Sequence, residues 1–372
     1  VTNLHEFLIP PAESARRKGP HDRIVMSSRV RLARNIRDAA FPGWAKKPER
    51  IKVMDLIRPA VESLPDMKDS FSESMDNLST LDKQILVERH LISREHAAKS
   101  AGSGLVLNRG ESLSVMINEE DHLRMQSLMP GLQLKQAWMS IDQADTALEQ
   151  KLSFAFTHEL GYLTACPTNL GTGIRVSAML HLPGLVLAEQ INPIIQAVNK
   201  LQLAVRGLYG EGTEALGNVF QVSNQTTLGE SELTIVERLD KAISQIIEHE
   251  EDARSVLLEK KSKMVYNHIG RAYGILANAH SISSKETMNL LSLMRLGVDL
   301  ELFPASSRAV TDELFILTQP AHLQLSHSEK LSAEERDLLR ADMVREHLRN
   351  VGRPVARPTG NGGSALDKPD KQ

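Results

Sequence analysis

Apolar and polar positions alternate through residues 112–118 (SLSVMIN), the two-residue period of a half-buried strand. Residues 102–107 precede it, and Asn108-Arg109-Gly110 between them has the composition of a hairpin turn. Residues 175–182 (RVSAMLHL) and 202–206 also read as strands. Helical patterning marks residues 142–152 and 192–201; in the second, Asn192 is placed as N-cap and Pro193 as the first helical residue. These strands do not alternate regularly with helices, which predicts an α+β domain built on an antiparallel sheet flanked by helices. Beyond residue 228 the pattern changes. Residues 232–263 form a long charged helical stretch, and Val265, Ile269, Ala272 and Leu276 then fall on one helix face. Ser283 with Glu286, and Ser332 with Glu335, have capping-box spacing before further helical runs. The predicted plan is a polar, irregular N-terminal arm (1–22), a mixed domain (23–255), an all-α C-terminal domain (256–350) and a disordered tail rich in Pro, Gly and charge (351–372).

Composition narrows the function classes. The chain has 372 residues, 41% of them hydrophobic and 24% charged, which is a globular balance. A formal net charge of -3 gives no global field for nucleic acid or an anionic membrane. There is no signal-peptide pattern and no apolar run of about 18 residues, so no membrane span is expected. The one cysteine, Cys166, excludes an internal disulfide, and no Cys/His spacing suggests a metal site; a reducing, cytoplasmic compartment is expected.

Four segments carry candidate chemistry. In Ser27-Ser28-Arg29-Val30-Arg31, alternation places both arginines on one strand face, a good phosphate clamp or an ordinary surface strand. Asn118-Glu119-Glu120-Asp121-His122-Leu123-Arg124 follows an apolar strand. It reads as a solvated turn or helix start, or as a carboxylate base with Arg124 joining the clamp. Cys166-Pro167-Thr168-Asn169-Leu170-Gly171-Thr172-Gly173-Ile174-Arg175 sets a cysteine, activated or merely buried, beside a loop able to point N–H groups at an anion. Arg206-Gly207-Leu208-Tyr209-Gly210-Glu211-Gly212 suits a closing lid or a plain hairpin loop. Neither a Walker A motif nor a protein-kinase glycine loop is present, so ATP, if bound, must be held by arginines.

Taken together, SSRVR, NEEDHLR, CPTNLGTGIR and RGLYGEG, extended by VFQVSN at residues 219–224, resemble the guanidino (phosphagen) kinase superfamily in order and separation. Within it the chain resembles the bacterial protein-arginine kinase (McsB) family. Only 26 residues precede Ser27, where small-substrate kinases carry a helical domain, and the helical C-terminal region contains Arg336-Asp337-Leu338-Leu339-Arg340-Ala341, similar to an RDxxRA phosphoarginine-binding motif. The resemblance implies transfer of the ATP γ-phosphoryl group to arginine in proteins, with Mg²⁺. By position, Ser27, Arg29, Arg31, Arg124, Arg175 and Arg206 hold the nucleotide. Glu120, Cys166 and Glu211 face the acceptor, and Arg336, Asp337 and Arg340 bind phosphoarginine. It further implies a homodimer, an McsA-like activator, a CtsR-like stress repressor among the protein substrates, and a Clp ATPase/protease downstream. A phosphagen kinase acting on free arginine, and a non-catalytic phosphoarginine reader, are the competing readings.

Overall fold

The computed structural model describes residues 3–207, 215–325, 327 and 329–355. Ten strands occur in it: β1 (Val25–Arg34), β2 (Phe71–Ser74), β3 (Gly104–Leu107), β4 (Leu113–Ile117), β5 (Leu123–Pro130), β6 (Phe156–Thr157), β7 (Gly161–Tyr162), β8 (Ile174–His181), β9 (Leu203–Gly207) and β10 (Val219–Asn224). Eight form one antiparallel sheet in the order β2-β3-β4-β5-β1-β8-β10-β9, and β6-β7 is a separate small hairpin. The α+β fold expected from the patterning is therefore present.

One face of the sheet is apolar. Val30, Leu32, Met125, Val176 and Val222 pack there with Ile141 and Leu148 of helix Leu134–Glu149 and with Leu239, Ile243 and Ile246 of helix Glu232–Asn278. Residues of opposite parity point to the other face. On its β2–β4 side this second face is covered by a smaller cluster in which Leu105, Leu107 and Met116 meet Phe71, Ile85 and Leu86. Its β1, β8, β10 and β9 side carries the polar residues described below.

Several boundaries differ from the patterning. The helix expected at residues 142–152 begins at Leu134, and that expected from Asn192 begins at Ile191; their N-caps, Gln133 and Gln190, make no side-chain cap bond and so give no start signal. Residues 3–22 are not irregular: Leu4–Phe7 and Pro11–Ser14 are short helices, and Leu4 and Phe7 are buried against Phe71 and Ile85. The helix beginning at Glu232 runs across residue 255 to Asn278, leaving helical geometry only at Lys261 (φ -134°, ψ 30°). The apolar core it belongs to changes between Ala253 and Leu257. Both capping serines act as read: Ser283 accepts from the Glu286 amide, and Ser332 with Glu335 forms a complete box.

A buried polar junction joins sheet to helical domain. Arg295 donates to His181 Nδ1 at 2.7 Å, so His181 Nε2–H donates to Ser292 Oγ at 2.8 Å. Burial, then the charges of Arg295, Arg254 and Arg308, hold His181 well below its usual range. Burial likewise lowers His96 and His122 to about 4. These folded-state values lie below the unfolded value of about 6.5, so their stabilisation is complete above that pH. It declines as pH falls, because the unfolded chain binds the protons first. The melting temperature is expected to drop between about pH 6.5 and 5.5, above the carboxylate range. A flat profile in thermal melts over that window would sink this account of the three histidines.

Candidate active site

Strand register gathers the predicted arginines. Arg31 lies opposite Arg175 across β1 and β8, and opposite Gln126 across β1 and β5. Arg29 lies opposite Ser177, which faces Ser223, while Gln221 faces Arg206. Arg124 pairs with Ala33, two residues beyond Arg31. Directly opposed residues of an antiparallel pair share a face, so Arg29, Arg31, Arg124, Arg175 and Arg206 all project from the polar face. Ser27 is on it too, opposite Met179. The central strand is hydrogen-bonded on both sides, which fixes Arg29 and Arg31 on rigid backbone.

Among the described residues only one of the five guanidiniums, that of Arg124, has an acidic partner, Glu119. Arg29 donates to Gln221 Oε1 at 2.7 Å and to Ser177 Oγ at 3.4 Å, and Arg175 donates to Ser223 Oγ at 3.2 Å, all neutral acceptors. Burial, then Arg124 and Arg175, bring Arg29 down to about 10. Burial, then Arg29, Arg124 and Arg175, push Arg31 well below its ordinary value. Arg175 is lowered by burial, then by Arg206 and Arg124. Arg31 Nε is buried without a partner. Clustered cations with an orphaned donor are the complement of a polyanion such as a nucleotide triphosphate.

At one edge lies the acidic segment, the tip of the β4–β5 hairpin, closed by Asn118 N–H donating to His122 O at 2.9 Å. The three acids have different environments. Glu119 is 1% exposed and accepts from Arg124 (2.6 Å), Ser93 (2.6 Å) and the Glu120 amide (2.9 Å). Burial raises its carboxyl, but Arg124 and these hydrogen bonds outweigh burial and hold it at about 2. Asp121 is 2% exposed and accepts from Asn35 (2.6 Å) and from the Ala165 amide (2.7 Å). Of the three only Glu120 is exposed, and it is raised above the usual carboxylate value by partial burial of its carboxyl, then by Asp121 and Glu119. A free carboxylate with increased basicity is suited to accept a proton.

Asp121 also ties this tip to the Cys166 loop, since its carboxylate holds the amide of the residue before Cys166. Asn35 reinforces the tie, donating to Leu163 O at 3.0 Å and accepting from the His122 amide at 2.9 Å. Thr227 Oγ1 pins the far side through Thr168 O and Leu170 O. Gly173, at φ +68°, passes so close to β1 that an added Cβ would meet Ala33 O at 2.6 Å. Cys166 is a free, half-buried thiol, 3.0 Å from Thr168 Oγ1 and near enough for a thiolate there to raise Arg175. Glu120, Cys166 and the arginine face are thus gathered at one end of β1, β5 and β8. Glu211, with Tyr209 and Gly212, lies outside the described residues.

Glu119, Asp121, Asn35, Gln221, Ser177, Ser223 and Thr227 were not singled out from sequence. For Gln221 and Ser223 a signal existed, because alternation in VFQVSN puts both on the face of Arg206. Glu119 and Asp121 had none, since the direction of each acid in a turn depends on hairpin geometry.

A family description, ATP:guanido phosphotransferase, C-terminal catalytic domain, matches residues 52–253, more than half of the chain. The chain belongs to that family. A second description, the C-terminal domain of the protein-arginine kinase McsB, matches residues 262–359. Similar relatives named protein-arginine kinase include that of Halothermothrix orenii, 45% identical over 89% of this chain and 95% of the relative. Those of Syntrophomonas wolfei (48%; 87% and 91%) and Bacillus subtilis strain 168 (44%; 90% and 92%) are further examples. Among solved structures, lombricine kinase has a TM-score of 0.55 at 26% identity, covering 65% of this chain and 71% of that one. The duplicated taurocyamine kinase of Schistosoma mansoni, at TM-score 0.57 and 22% identity over 80% of this chain and 48% of that one, shares the fold. The chain is thus a guanidino kinase by family, with the two-part organisation of the protein-arginine kinases.

Proposed function

We propose that this enzyme transfers the γ-phosphoryl group of MgATP to the guanidinium of arginine side chains in proteins. The observation that carries the reading is the polarity of the site: five clustered arginines, of which only Arg124 is paired with an acid among the described residues, on one side, and the exposed Glu120 and the Cys166 loop on the other. The protein acceptor is supported by the relatives' name and by the matching helical C-terminal region.

In the proposed reaction, Arg29, Arg31, Arg124, Arg175 and Arg206 hold the triphosphate. Mg²⁺ arrives as part of the substrate; among the described residues no group of three or more His, Cys, Asp or Glu is placed to hold a metal ion. The acceptor guanidinium is protonated, with a pKa of about 12.5 or more, and is a poor nucleophile. Glu120 pairs with it, orients one nitrogen in line with the γ-phosphorus and takes the proton as the N–P bond forms and the bond to the β-phosphate oxygen breaks. ADP leaves with the bonding electron pair. A Cys166 thiolate adds a second anionic contact to the guanidinium. Glu119 acts through Arg124, whose direction it sets.

The same proposal assigns phosphoarginine binding to the helical domain. Arg340 is buried, donating to Thr318 O and Ile282 O at 2.9 Å each and paired with Asp337. Arg336 donates to Leu331 O. Asp337 is half-buried and would meet the guanidinium of phosphoarginine, with Arg336 beside the phosphate. Cytoplasmic location, a homodimer, an activating partner, control of a stress repressor and marking of proteins for a Clp-type protease belong to this proposal as what family membership would entail. Among the described residues no helix is long and apolar enough to cross a membrane.

The test offers MgATP with either free arginine or an arginine-containing protein and follows acid-labile phosphate. Label on the protein, with little on free arginine, is the expected result. Label on free arginine alone would favour a phosphagen kinase, and label on neither a reader without activity.

A further inference from the structure

The arginine face continues past Arg29 into a cavity of about 270 Å³. Ser27, His90, Leu128 and Met179 line both this cavity and the narrow cleft holding Arg29, Ser177 and Gln221, so the two are one recess. Leu128 and Met179 reach it from β5 and β8 on the same sheet face as Arg29. The facing wall does not come from the sheet. It is made by Met288 of helix Ser284–Asp299, by Phe315 and Ile316 of helix Ser307–Leu317, and by Gln319.

Charge changes along the recess. Three of the cavity's arginines are matched: Arg295 and Arg308 meet Asp312 at 2.9 and 2.6 Å, and Arg89 meets Glu111 at 2.8 Å, while the other two cations of its lining, Arg17 and Lys18, are exposed. On the arginine face the nearest, Arg29, has only the neutral acceptors Gln221 and Ser177, and Arg31 beyond it keeps an unpartnered Nε among the described residues. A recess with unmatched buried cations at one end and largely apolar walls at the other fits a ligand with an anionic end and a neutral planar end.

We propose that the helical domain forms one wall of the pocket for the nucleotide base, with Phe315 and Ile316 packing against the purine, so that MgATP bridges the sheet and the helical domain. This inference rests on the reading that ATP is the phosphoryl donor. Its consequence is that full nucleotide affinity requires the helical domain to be docked, as His181, Ser292 and Arg295 hold it, and that bound nucleotide stabilises the docked arrangement.

The experiment compares MgATP with magnesium tripolyphosphate by calorimetry on the full chain. Ile316 is half-buried, so Ile316→Trp directs an indole into the base end and leaves the arginine face untouched. The variant is expected to raise the Kd for MgATP at least about tenfold with tripolyphosphate binding unchanged. The milder Phe315→Leu is expected to move the same way, and it decides the matter if the tryptophan variant does not fold. Unchanged MgATP affinity in these variants overturns the inference, as does an equal loss for both ligands. Wild-type protein that binds neither ligand overturns the ATP reading beneath it.

Discussion

Glu120→Gln is expected to lower kcat about 10³-fold, within the range for loss of a general base, while MgATP affinity by calorimetry stays within about twofold. The amide keeps the shape and one acceptor oxygen but takes no proton. In the proposed site the triphosphate is held by arginines on strands, so affinity should persist without the carboxylate at the hairpin tip. The pH profile follows from the raised Glu120 carboxyl. The carboxylate form is the active one, so the acid limb of kcat/KM, which reports the free enzyme, should lie above the ordinary glutamate value and should be absent in the variant. Near-normal turnover in Glu120→Gln would remove this residue from the chemistry and leave Cys166 as the remaining acceptor-side candidate among the described residues.

Arg31→Met should have the second-largest effect, and in two directions. Arg31 sits between Arg29, Arg124 and Arg175 with its Nε buried and unpartnered. Charge-assisted hydrogen bonds contribute about 1.5–3 kcal/mol each, so loss of this guanidinium should weaken MgATP about 100-fold. Without nucleotide the same change relieves like-charge repulsion and removes a buried orphaned donor. The ligand-free protein should then melt roughly 2–4 °C higher, the shift expected of about 1 kcal/mol in a domain of this size. Arg31→Lys should restore little binding, since an ammonium lacks the planar fork. A variant that binds MgATP normally, or is destabilised in its absence, would show that Arg31 is structural.

Sequence patterning reached those features that depend on period alone. Alternation in SSRVR put Arg29 and Arg31 on one face, and the register of β1 with β5 and β8 then added Arg124 and Arg175 to it. The capping serines were legible because Ser-x-x-Glu is local chemistry. Helix starts at Leu134 and Ile191 were not, because no side chain caps them. The packing of residues 3–22 was hidden as well: burial of Leu4 and Phe7 depends on Phe71 and Ile85, far along the chain. In the site, the acidic run was visible but its division of labour was not. Which acid is spent on Arg124, which pins the Cys166 loop and which stays free is decided by a five-residue turn and by Asn35, 86 positions from Asp121. The helical wall of the cavity was illegible for the same reason, since nothing local links Phe315 to Met179.

The most direct test of the central claim is to locate the transferred phosphate. A folded acceptor protein is incubated with wild-type enzyme and MgATP, digested at neutral pH to preserve N–P bonds, and mapped by tandem mass spectrometry. Phosphate on arginine side chains, lost when Glu120→Gln replaces the wild type, is the predicted result. Phosphate confined to serine, threonine or tyrosine, or an unmodified acceptor beside phosphorylated free arginine, would contradict it.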